Sequence, residues 1–427
     1  MLGHIVSWVL IAVILIAAVI GILFITRGTA VRRVRGVGAD GVPVGATEPE
    51  FAATVALLAG GEILPGNRIE LALNGDGTYE RLWADLRSAT QSITLQMYYA
   101  EPGRVADQLH EILVERARAG VSVFFLYDAF GAGGLKKKYL ATLREAGVRA
   151  VPFRPLRFRN LWVVQNRAHI RGIVVDARVG WTGGFGVDDK WLGDGHTNLA
   201  WRDTNARFEG PAVQHLLAAF AAGWAEATGE LFSGRGVSTV CEGGVAEAGL
   251  LATAPTLGST PAERFLALSI AGAREKLFIT NAYFAPDRSF VALLDAAAER
   301  GVDVRVLVGG PRTDVRAARL AARSRYERLL GAGVRVYEYQ PSTLHAKTFV
   351  VDGRWSSVGT MNFDNRSLAL NDECTLMVLD SAFGSEMEDI FHADLARSTE
   401  INLEEFRKRP PLDRVAEWGA NLITSLL

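Results

Sequence analysis

The chain has 427 residues, 49% of them hydrophobic, and a formal net charge of −1. This length is sufficient for a large core or for two domains, and a charge so close to zero argues against a general nucleic-acid binder. Its two cysteines, Cys241 and Cys374, lie far apart and in no metal-ligand spacing. The sequence therefore carries neither a disulfide framework nor a zinc site of the C-x-x-C kind.

An apolar run opens the chain. No charged residue interrupts residues 5–25, and about twenty helical residues at about 1.5 Å each span a bilayer core of about 30 Å. A cleaved signal peptide is the alternative, but such peptides begin with a basic region, and residues 1–8 contain no Lys or Arg. We therefore predict an uncleaved, single-pass anchor in the cell membrane at residues 1–26.

A basic flank and linker are predicted next, at residues 27–65. Four arginines follow the anchor: Arg27, Arg32, Arg33 and Arg35. Because basic flanks tend to stay in the cytoplasm, the part of the chain that follows this flank is predicted to be cytoplasmic. The cluster serves either as a topology signal alone or also as a contact for anionic lipid head groups. Residues 34–49 are rich in Gly, Val and Pro without a helical period, which is typical of a linker.

The rest of the chain repeats itself. Residues 92–100 predict a buried strand, and residues 276–285 match them in the second half. In each half a helical run then ends at a glycine, Gly120 or Gly301, which suits a left-handed cap before the next strand. The order strand, helix, strand, helix, strand occurs twice. It indicates an α/β fold with mostly parallel sheets flanked by helices.

These matches predict two tandem repeats. The first is expected at residues 66–235 and the second at residues 255–400, with a connector rich in Gly, Ser, Thr and Ala at residues 236–254. We expect the repeats to pack about a pseudo-twofold axis. Two independent copies with separate functions are the alternative, but half a site in each copy would then lack its partner.

The last segment, residues 401–427, is predicted to contain a helix with one apolar face. That face carries Val415, Trp418, Leu422, Ile423 and Leu426. It suits either a membrane interface, where Trp is favoured, or docking onto the protein itself.

Each repeat contains a His motif on a β-rich run. The motifs are His169-x-Arg171, closed by Asp176, and His345-x-Lys347, closed by Asp352. Because His and cation are two residues apart, both point to one face of an extended strand. Two imidazoles and two cations in one cleft would make a phosphate site, in which the cations neutralise phosphoryl oxygens.

Such a site predicts covalent phosphoryl transfer. One imidazole can attack phosphorus, while the other protonates the leaving alcohol and then deprotonates the incoming one. An unperturbed pKa of about 6.5 suits both roles near neutral pH. The scheme requires no metal and no cofactor.

The second motif resembles the phospholipase D superfamily, because H-x-K-x4-D is followed by Gly-Thr-Met-Asn within residues 345–362. More narrowly, the chain is similar to bacterial cardiolipin synthases of the phospholipase D type. The shared features are the N-terminal anchor and the runs at residues 181–185, 201–204 and 358–364. The resemblance covers roughly residues 65–427 and implies two phospholipase D-like repeats that form one site.

The resemblance also implies roles for individual residues. His169 is the expected nucleophile and His345 the expected general acid and base. The expected phosphate contacts are Lys347, Arg171, Thr360, Asn362 and Gly184. Glu373 matches an acidic residue that orients a catalytic His across the site, and Asp203 is its counterpart by alignment of the repeats. Asp176 and Asp352 are expected to be structural or orienting members of the site.

The first motif departs from the family pattern. Arg171 stands where the family has Lys, and Gly184 and Gly186 stand where the general motif has Ser or Thr and Asn. Arginine keeps the charge and can bind two phosphate oxygens, but it is bulkier and planar. The change is either a tolerated exchange of cations or a site tuned or weakened by it.

Aromatic residues follow the two matching strands, at residues 98–99 and 283–284. They are expected to be strand core, where aromatic side chains are favoured. Lining a lipid cleft is the alternative.

The function implied by these features is that of a membrane-anchored phosphatidyltransferase, a cardiolipin synthase. Phosphatidylglycerol would form a phosphatidyl-His169 intermediate and release glycerol, and a second phosphatidylglycerol would then attack it. The expected partners are phospholipids and the membrane, with no nucleic acid. The alternatives are a hydrolase of the same superfamily, either a phospholipase D or a nucleic-acid phosphodiesterase, and a catalytically silent scaffold that binds lipid.

Overall fold

The computed structural model describes residues 28–156, 166–197, 200–231, 233–234, 243–256 and 258–422, together with residues 7, 8 and 11. Of the predicted anchor at residues 1–26, only residues 7, 8 and 11 are among those described. Within the part of the chain that is described, no helix is long and apolar enough to cross a bilayer. Residues 236–242 of the predicted connector, which include Cys241, and residues 423–427 also lie outside the described residues.

The first half alternates strands and helices. Its strands are β1 (Leu64–Leu73), β2 (Ser92–Met97), β3 (Ser122–Asp128), β4 (Arg149–Phe153), β5 (Arg171–Val175), β6 (Val179–Gly183) and β7 (Thr204–Glu209). Its helices are α1 (Phe51–Ala59), α2 (Asn74–Ser88), α3 (Arg104–Arg118), α4 (Lys137–Glu145) and α5 (Ala212–Thr228), with a 3₁₀ turn at Asp189–Trp191.

The second half begins with the same succession of elements. Its strands are β8 (Ala246–Thr253), β9 (Lys276–Asn281), β10 (Phe284–Ala285), β11 (Asp303–Gly309), β12 (Arg335–Tyr339), β13 (Lys347–Val351), β14 (Trp355–Gly359), β15 (Phe363–Asp364), β16 (Glu373–Leu379) and β17 (Ser398–Glu400). Its helices are α6 (Pro261–Gly272), α7 (Arg288–Glu299), α8 (Arg316–Gly331), α9 (Asn365–Ala369), α10 (Ser381–Leu395), α11 (Leu403–Arg407) and α12 (Pro411–Leu422).

Fifteen of the described strands form one sheet that runs through both halves. Outward from the central β8–β1 pair, the order is β1-β7-β6-β5-β2-β3-β4 on one side and β8-β16-β14-β13-β9-β11-β12-β17 on the other. Strands of the two halves therefore occupy equivalent places, with β5 corresponding to β13 and β2 to β9. The strands that follow the His motifs, β5 and β13, are each the fourth strand on their side of the sheet, counted from β1 and from β8.

The prediction of mostly parallel sheets was wrong, because this sheet is mixed. Parallel pairing is confined within it to β2–β3–β4 and β9–β11–β12, near its two ends. The strands after the His motifs instead form antiparallel hairpins, β5–β6 and β13–β14. Three residues join each pair, at 176–178 and 352–354. A parallel connection needs a dozen or more residues, so these short turns require antiparallel pairing.

Helices cover both faces of the sheet, which explains why the strands around the His motifs are buried along their whole length. Every residue of β5, β13 and β16 is buried. The helix α3 shows how the layers form, because its buried residues recur at helical spacing: Val105, Ala106, Leu109, Ile112 and Leu113. Its opposite face is polar, so the amphipathic pattern directs it onto the sheet.

Candidate active site

Backbone hydrogen bonds between the two halves bring the His motifs together. The backbone N–H of His345 donates to the carbonyl of Arg202 at 2.7 Å, and the N–H of Asp372 donates to the carbonyl of Arg167 at 2.9 Å. Each His stands two residues before its strand, β5 or β13. Because each loop is hydrogen-bonded to a loop of the other half, both imidazoles face one cleft.

This cleft has a volume of about 320 Å³. Its walls come from both halves of the chain. The lining residues are Tyr98, Tyr99, His169, Arg171, Lys190, Trp191, Trp201, Tyr283, Ala285, Asp314, Val315, Ala318, His345, Asn362, Asp364, Arg366, Ser367 and Asn371.

Each imidazole is held by a buried carboxylate from the opposite half. His169 Nδ1 lies 2.9 Å from Glu373 Oε1, and His345 Nδ1 lies 2.9 Å from Asp203 Oδ2. Both carboxylates are fully buried. The contacts match the pairings expected for Glu373 and Asp203, and neither His motif has its orienting carboxylate without the other half.

The contact of Arg171 defines the tautomer of His169. Nη1 of Arg171 lies 3.1 Å from Nε2 of His169. A guanidinium can only donate, so Nε2 is the acceptor, and Nδ1 carries the proton that Glu373 binds. The Nε2 atom therefore keeps a lone pair inside the cleft.

Burial and nearby cations keep both imidazoles unprotonated. Burial, followed by the charges of Arg171 and Lys347, holds the pKa of His169 well below its usual range. Burial and the charge of Lys347 lower the pKa of His345 to about 3, although Asp203 opposes them. Burial also lowers the pKa of Lys347 to about 7. Removal from water disfavours each of these charged forms.

The two carboxylates differ in their electrostatics. Burial raises the pKa of Glu373 to about 8, against the hydrogen bonds and the charge of Arg171 that favour its ionised form. Burial also raises the pKa of Asp203, but the hydrogen bonds from His345 and Trp191 and the charge of Lys347 outweigh it and leave that pKa lowered. Glu373 therefore titrates near neutral pH, whereas Asp203 stays ionised.

The expected phosphate contacts separate into two groups. Arg171 and Asn362 line the cleft, and Lys347 is buried beside it, with Nζ donating to the carbonyl of His345 and lying 5.7 Å from the ring of Tyr283. Thr360 is fully buried and its hydroxyl donates to Glu373. Arg171, Asn362 and Lys347 form the group that can reach a ligand. Thr360 instead donates to Glu373, the carboxylate that binds His169.

Gly184 lies against Asp203 and not along the cleft wall. A Cβ at this position would approach both carboxylate oxygens of Asp203 to 2.3 Å. The absence of a side chain therefore makes room for the carboxylate that binds His345.

The structure does not bring Asp176 and Asp352 into the cleft that the described residues form. Asp176 accepts from the backbone N–H groups of residues 90–92 at 2.8–2.9 Å, and Asp352 accepts from those of residues 274–276 at 2.9 Å. Each Asp lies five positions beyond the cation of its motif, at about 3.3 Å for each residue of strand. Both carboxylates fix the turns at the far ends of β5 and β13.

Aromatic side chains surround the imidazoles. The ring of Tyr98 lies 4.9 Å from that of His169, and Trp201 lies 5.1 Å from His345. Tyr283 lies 6.2 Å from His345.

Tyr98 and Tyr283 stand just after β2 and β9 and line the cleft together with Tyr99, so the expectation of strand core was wrong for these three residues. It was right for Phe284, which lies in β10 and is buried in the core. The equivalent places of Tyr98 and Tyr283 in the two halves were a usable signal.

Lys190 is a lining residue that the motifs did not indicate. Its Nζ lies 3.7 Å from the ring centre of Tyr99 and 4.2 Å from that of Trp201. It belongs to the 3₁₀ turn, which follows a bridge between Val187 and Ala100, just beyond the end of β2. Among the described residues, no group of three or more His, Cys, Asp or Glu side chains is placed to hold a metal ion.

Two solved structures of differently named enzymes have folds similar to that of this chain. A phosphatidylserine synthase from Haemophilus influenzae Rd KW20 superposes with a TM-score of 0.66 at 14% identity, covering 88% of this chain and 100% of that one. A polyphosphate kinase from Porphyromonas gingivalis gives a TM-score of 0.55 at 13% identity, over 79% of this chain and 49% of that one. At such identities the similarity establishes the fold alone.

Sequence comparison is more specific. A family model described as "Cardiolipin synthase, PLD-like domain" matches residues 266–395. "Cardiolipin synthase A" of Pseudomonas fluorescens is 35% identical over 365 residues, which cover 85% of this chain and 76% of the relative. "Cardiolipin synthase" of a Geobacillus species is 36% identical over 361 residues, covering 83% and 71%. Identity at this level over most of both proteins shows that the chain belongs to the cardiolipin synthase family of phospholipase D-like proteins.

Proposed function

We propose that this protein is a phosphatidyltransferase that forms cardiolipin from two molecules of phosphatidylglycerol. The observation that carries the proposal is the pair of imidazoles in one cleft, each with a carboxylate of the opposite half on Nδ1. Two such groups suit a two-step transfer through a covalent intermediate. The names of the similar relatives point to the same product.

In the first step, Nε2 of His169 attacks the phosphorus of one phosphatidylglycerol. The bond between phosphorus and the glycerol oxygen breaks, and His345 gives that oxygen a proton. The phosphodiester anion counters the charge of Lys347 and so favours the protonated form of His345 while the lipid is bound. Glycerol leaves, and the phosphatidyl group stays on His169.

In the second step, His345 takes the proton from a hydroxyl group of another phosphatidylglycerol. That oxygen attacks phosphorus, the bond to Nε2 breaks, and cardiolipin leaves. Arg171 and Lys347 lie beside the imidazoles, where they can stabilise the charge that develops on the phosphoryl oxygens. The aromatic wall limits access of water, which would otherwise turn transfer into hydrolysis.

We further infer that the halves are tandem repeats, at residues 66–235 and 255–400, related by a pseudo-twofold axis. The matched strand orders on either side of β8–β1 support this inference. The apolar residues 1–26 are proposed as a single-pass anchor that keeps the cleft on the cytoplasmic side of the membrane, where the lipid acceptor is concentrated.

The proposed function predicts the products formed by the purified full chain in phosphatidylglycerol vesicles. Mass spectrometry of the lipids should detect cardiolipin together with released glycerol. Phosphatidic acid alone would instead indicate a hydrolase. His345→Ala should abolish either product, while His392→Ala is the matched control, since His392 is exposed and outside the cleft. No turnover by the wild type, and no difference from His345→Ala, would exclude both enzymatic functions.

From the pKa of Glu373, whose carboxylate binds Nδ1 of His169, we predict how turnover depends on pH. Glu373 must be ionised to accept the Nδ1 proton, and its pKa is about 8. The ionised fraction of Glu373 falls as the pH drops through that value, so kcat/KM should rise from about pH 6 to a maximum between about pH 7 and pH 8. Above the maximum kcat/KM should fall again, because Lys347, with a pKa of about 7, loses its charge. Glu373→Gln should lower kcat/KM by about 10² to 10⁴-fold, and the remaining activity should lose the rise.

Asp203→Asn provides the comparison for this experiment. The pKa of Asp203 is lowered, so this carboxylate contributes no titration near pH 8. The variant should be slow and yet keep the rise in kcat/KM. If the rise persists in Glu373→Gln, another group controls it.

A further inference from the structure

The helix α12 is attached to the protein by its charged side. Glu417 is buried, and its carboxylate pairs with Arg323 of α8 at 3.1 Å and with Arg409 at 2.9 Å. One turn further on, Ala420 is buried in a cluster with Ala321 and Ala285. These contacts settle one part of the sequence prediction, because the helix does dock onto the protein.

The outward side of α12 is apolar. Leu412 is 81% exposed, Val415 64% and Trp418 63%. Their spacing of three residues places them on one face of a helix, roughly opposite Glu417 and Ala420. A soluble surface helix normally has the reverse arrangement, with its apolar side buried. Here the ion pairs satisfy the inward side, and the apolar side faces solvent.

The C-terminal end of α12 lies near the cleft. Arg409 pairs with Glu327 near the end of α8, whereas Ala420 packs against Ala321 nearer its beginning. The helix α12 therefore runs antiparallel to α8, toward the residues Val315 and Ala318 that line the cleft. Ala285, in the same cluster as Ala420, is also a lining residue.

The first half also exposes an aromatic side chain beside the cleft. Phe130 is 76% exposed, and the next residue, Gly131, lies so close to the lining residue Tyr98 that a Cβ would approach its carbonyl oxygen to 2.3 Å. Apolar side chains are therefore exposed next to the cleft in both halves of the protein.

We propose that the outward face of α12 docks on the surface of the lipid bilayer and holds the mouth of the cleft against it. Leu412, Val415 and Trp418 would enter the boundary between head groups and acyl chains, where Trp is favoured. Two exposed basic residues, Lys408 just before the helix and Arg414 in its first turn, suit an anionic lipid surface. The proposal rests on the proposed function in one respect, that the substrate of the cleft is a membrane lipid.

A second copy of the chain is a poorer occupant of this face. A stable protein interface buries about 800 Å² on each partner, and three side chains on one short helix supply well under that area. A bilayer requires no complementary partner surface.

The test uses the full chain with one cysteine at a time, after Cys241→Ser and Cys374→Ala. A fluorescent label at Val415→Cys reports the outward face, and one at Asp413→Cys, an exposed position on the other side of the same helix, is the matched control. In vesicles of phosphatidylglycerol and phosphatidylcholine, the label at position 415 should shift to the blue and be quenched by lipids with a doxyl group. The label at position 413 should do neither.

An unquenched label at position 415 would overturn the docking proposal, and disulfide cross-linking between Val415→Cys chains would identify a second copy as the occupant. Cardiolipin formation is measured in the same samples. Cardiolipin without quenching contradicts docking alone, whereas quenching without cardiolipin or glycerol contradicts the proposed function alone. The local label separates α12 from any contribution of residues 1–26.

Discussion

Replacement of His169 by Ala should reduce turnover of phosphatidylglycerol by about 10⁴-fold or more, the loss typical of a missing nucleophile. Glu373 binds the proton on Nδ1, which leaves the lone pair on Nε2. Arg171 donates to that lone pair here and must turn to the phosphoryl oxygens before Nε2 can attack. Without the imidazole no covalent intermediate can form. Intact mass spectrometry after quenching in alkaline denaturant should find the phosphatidyl adduct on the wild type and none on His169→Ala.

The role of His345 is separable from that of His169 by the choice of substrate. A phosphodiester with a p-nitrophenol leaving group needs no proton in the first step. His345→Ala should therefore still form the adduct with this substrate and accumulate it, because the second step lacks its base. His169→Ala should form no adduct with either substrate. An adduct on His345 in that variant would reverse the two roles.

The predicted parts of the site depend on local spacing or on equivalence between the halves. The separation of two residues between His and cation gave each pair a common face, and the alignment of the halves led from Glu373 to Asp203. Both carboxylates lie 2.9 Å from the expected imidazoles. Such relationships survive in the sequence because strand periodicity and internal repetition are visible there.

Other features depend on how distant segments meet. The antiparallel hairpins follow from turns of three residues after Val175 and Val351, but the sequence suggested parallel order because strands and helices alternate before them. Lys190 reaches the cleft through packing on Tyr99 and Trp201. No periodic pattern marks a contact of that kind, because it arises only from the tertiary fold.

Loss of Asp394 should destabilise the fold more than loss of any exposed ion pair. Arg202 is 2% exposed, and its Nε donates to Asp394 Oδ1 at 2.9 Å. Asp394→Ala would leave a buried guanidinium without its counter-charge, which costs about 3–5 kcal/mol. Chemical denaturation should show this loss in the free energy of unfolding. Glu400→Ala is the control, since its pair with Arg335 is about half exposed and such pairs contribute at most about 1 kcal/mol.

A double variant, Arg202→Met with Asp394→Leu, distinguishes desolvation from simple loss of contacts. Removing both charges leaves no unpaired ion, so the double variant should be more stable than Asp394→Ala despite carrying one more substitution. If the double variant is the less stable of the two, the guanidinium contributes mainly through its bonds to the carbonyl of Asp203 and the hydroxyl of Thr204.

Asp394→Ala should also lower the catalytic rate, because Arg202 is linked through its backbone to His345. The carbonyl of Arg202 accepts the N–H of His345, and the next residue, Asp203, binds the ring of that His. A loop loosened by Asp394→Ala would misplace both contacts at once, and a shift of about 1 Å is enough to cost about 10²-fold in rate. We therefore expect kcat to fall while KM changes little, because the substitution alters none of the residues that line the cleft. A variant that loses stability and keeps its full kcat would show that the His345 loop is held independently of the Arg202–Asp394 pair.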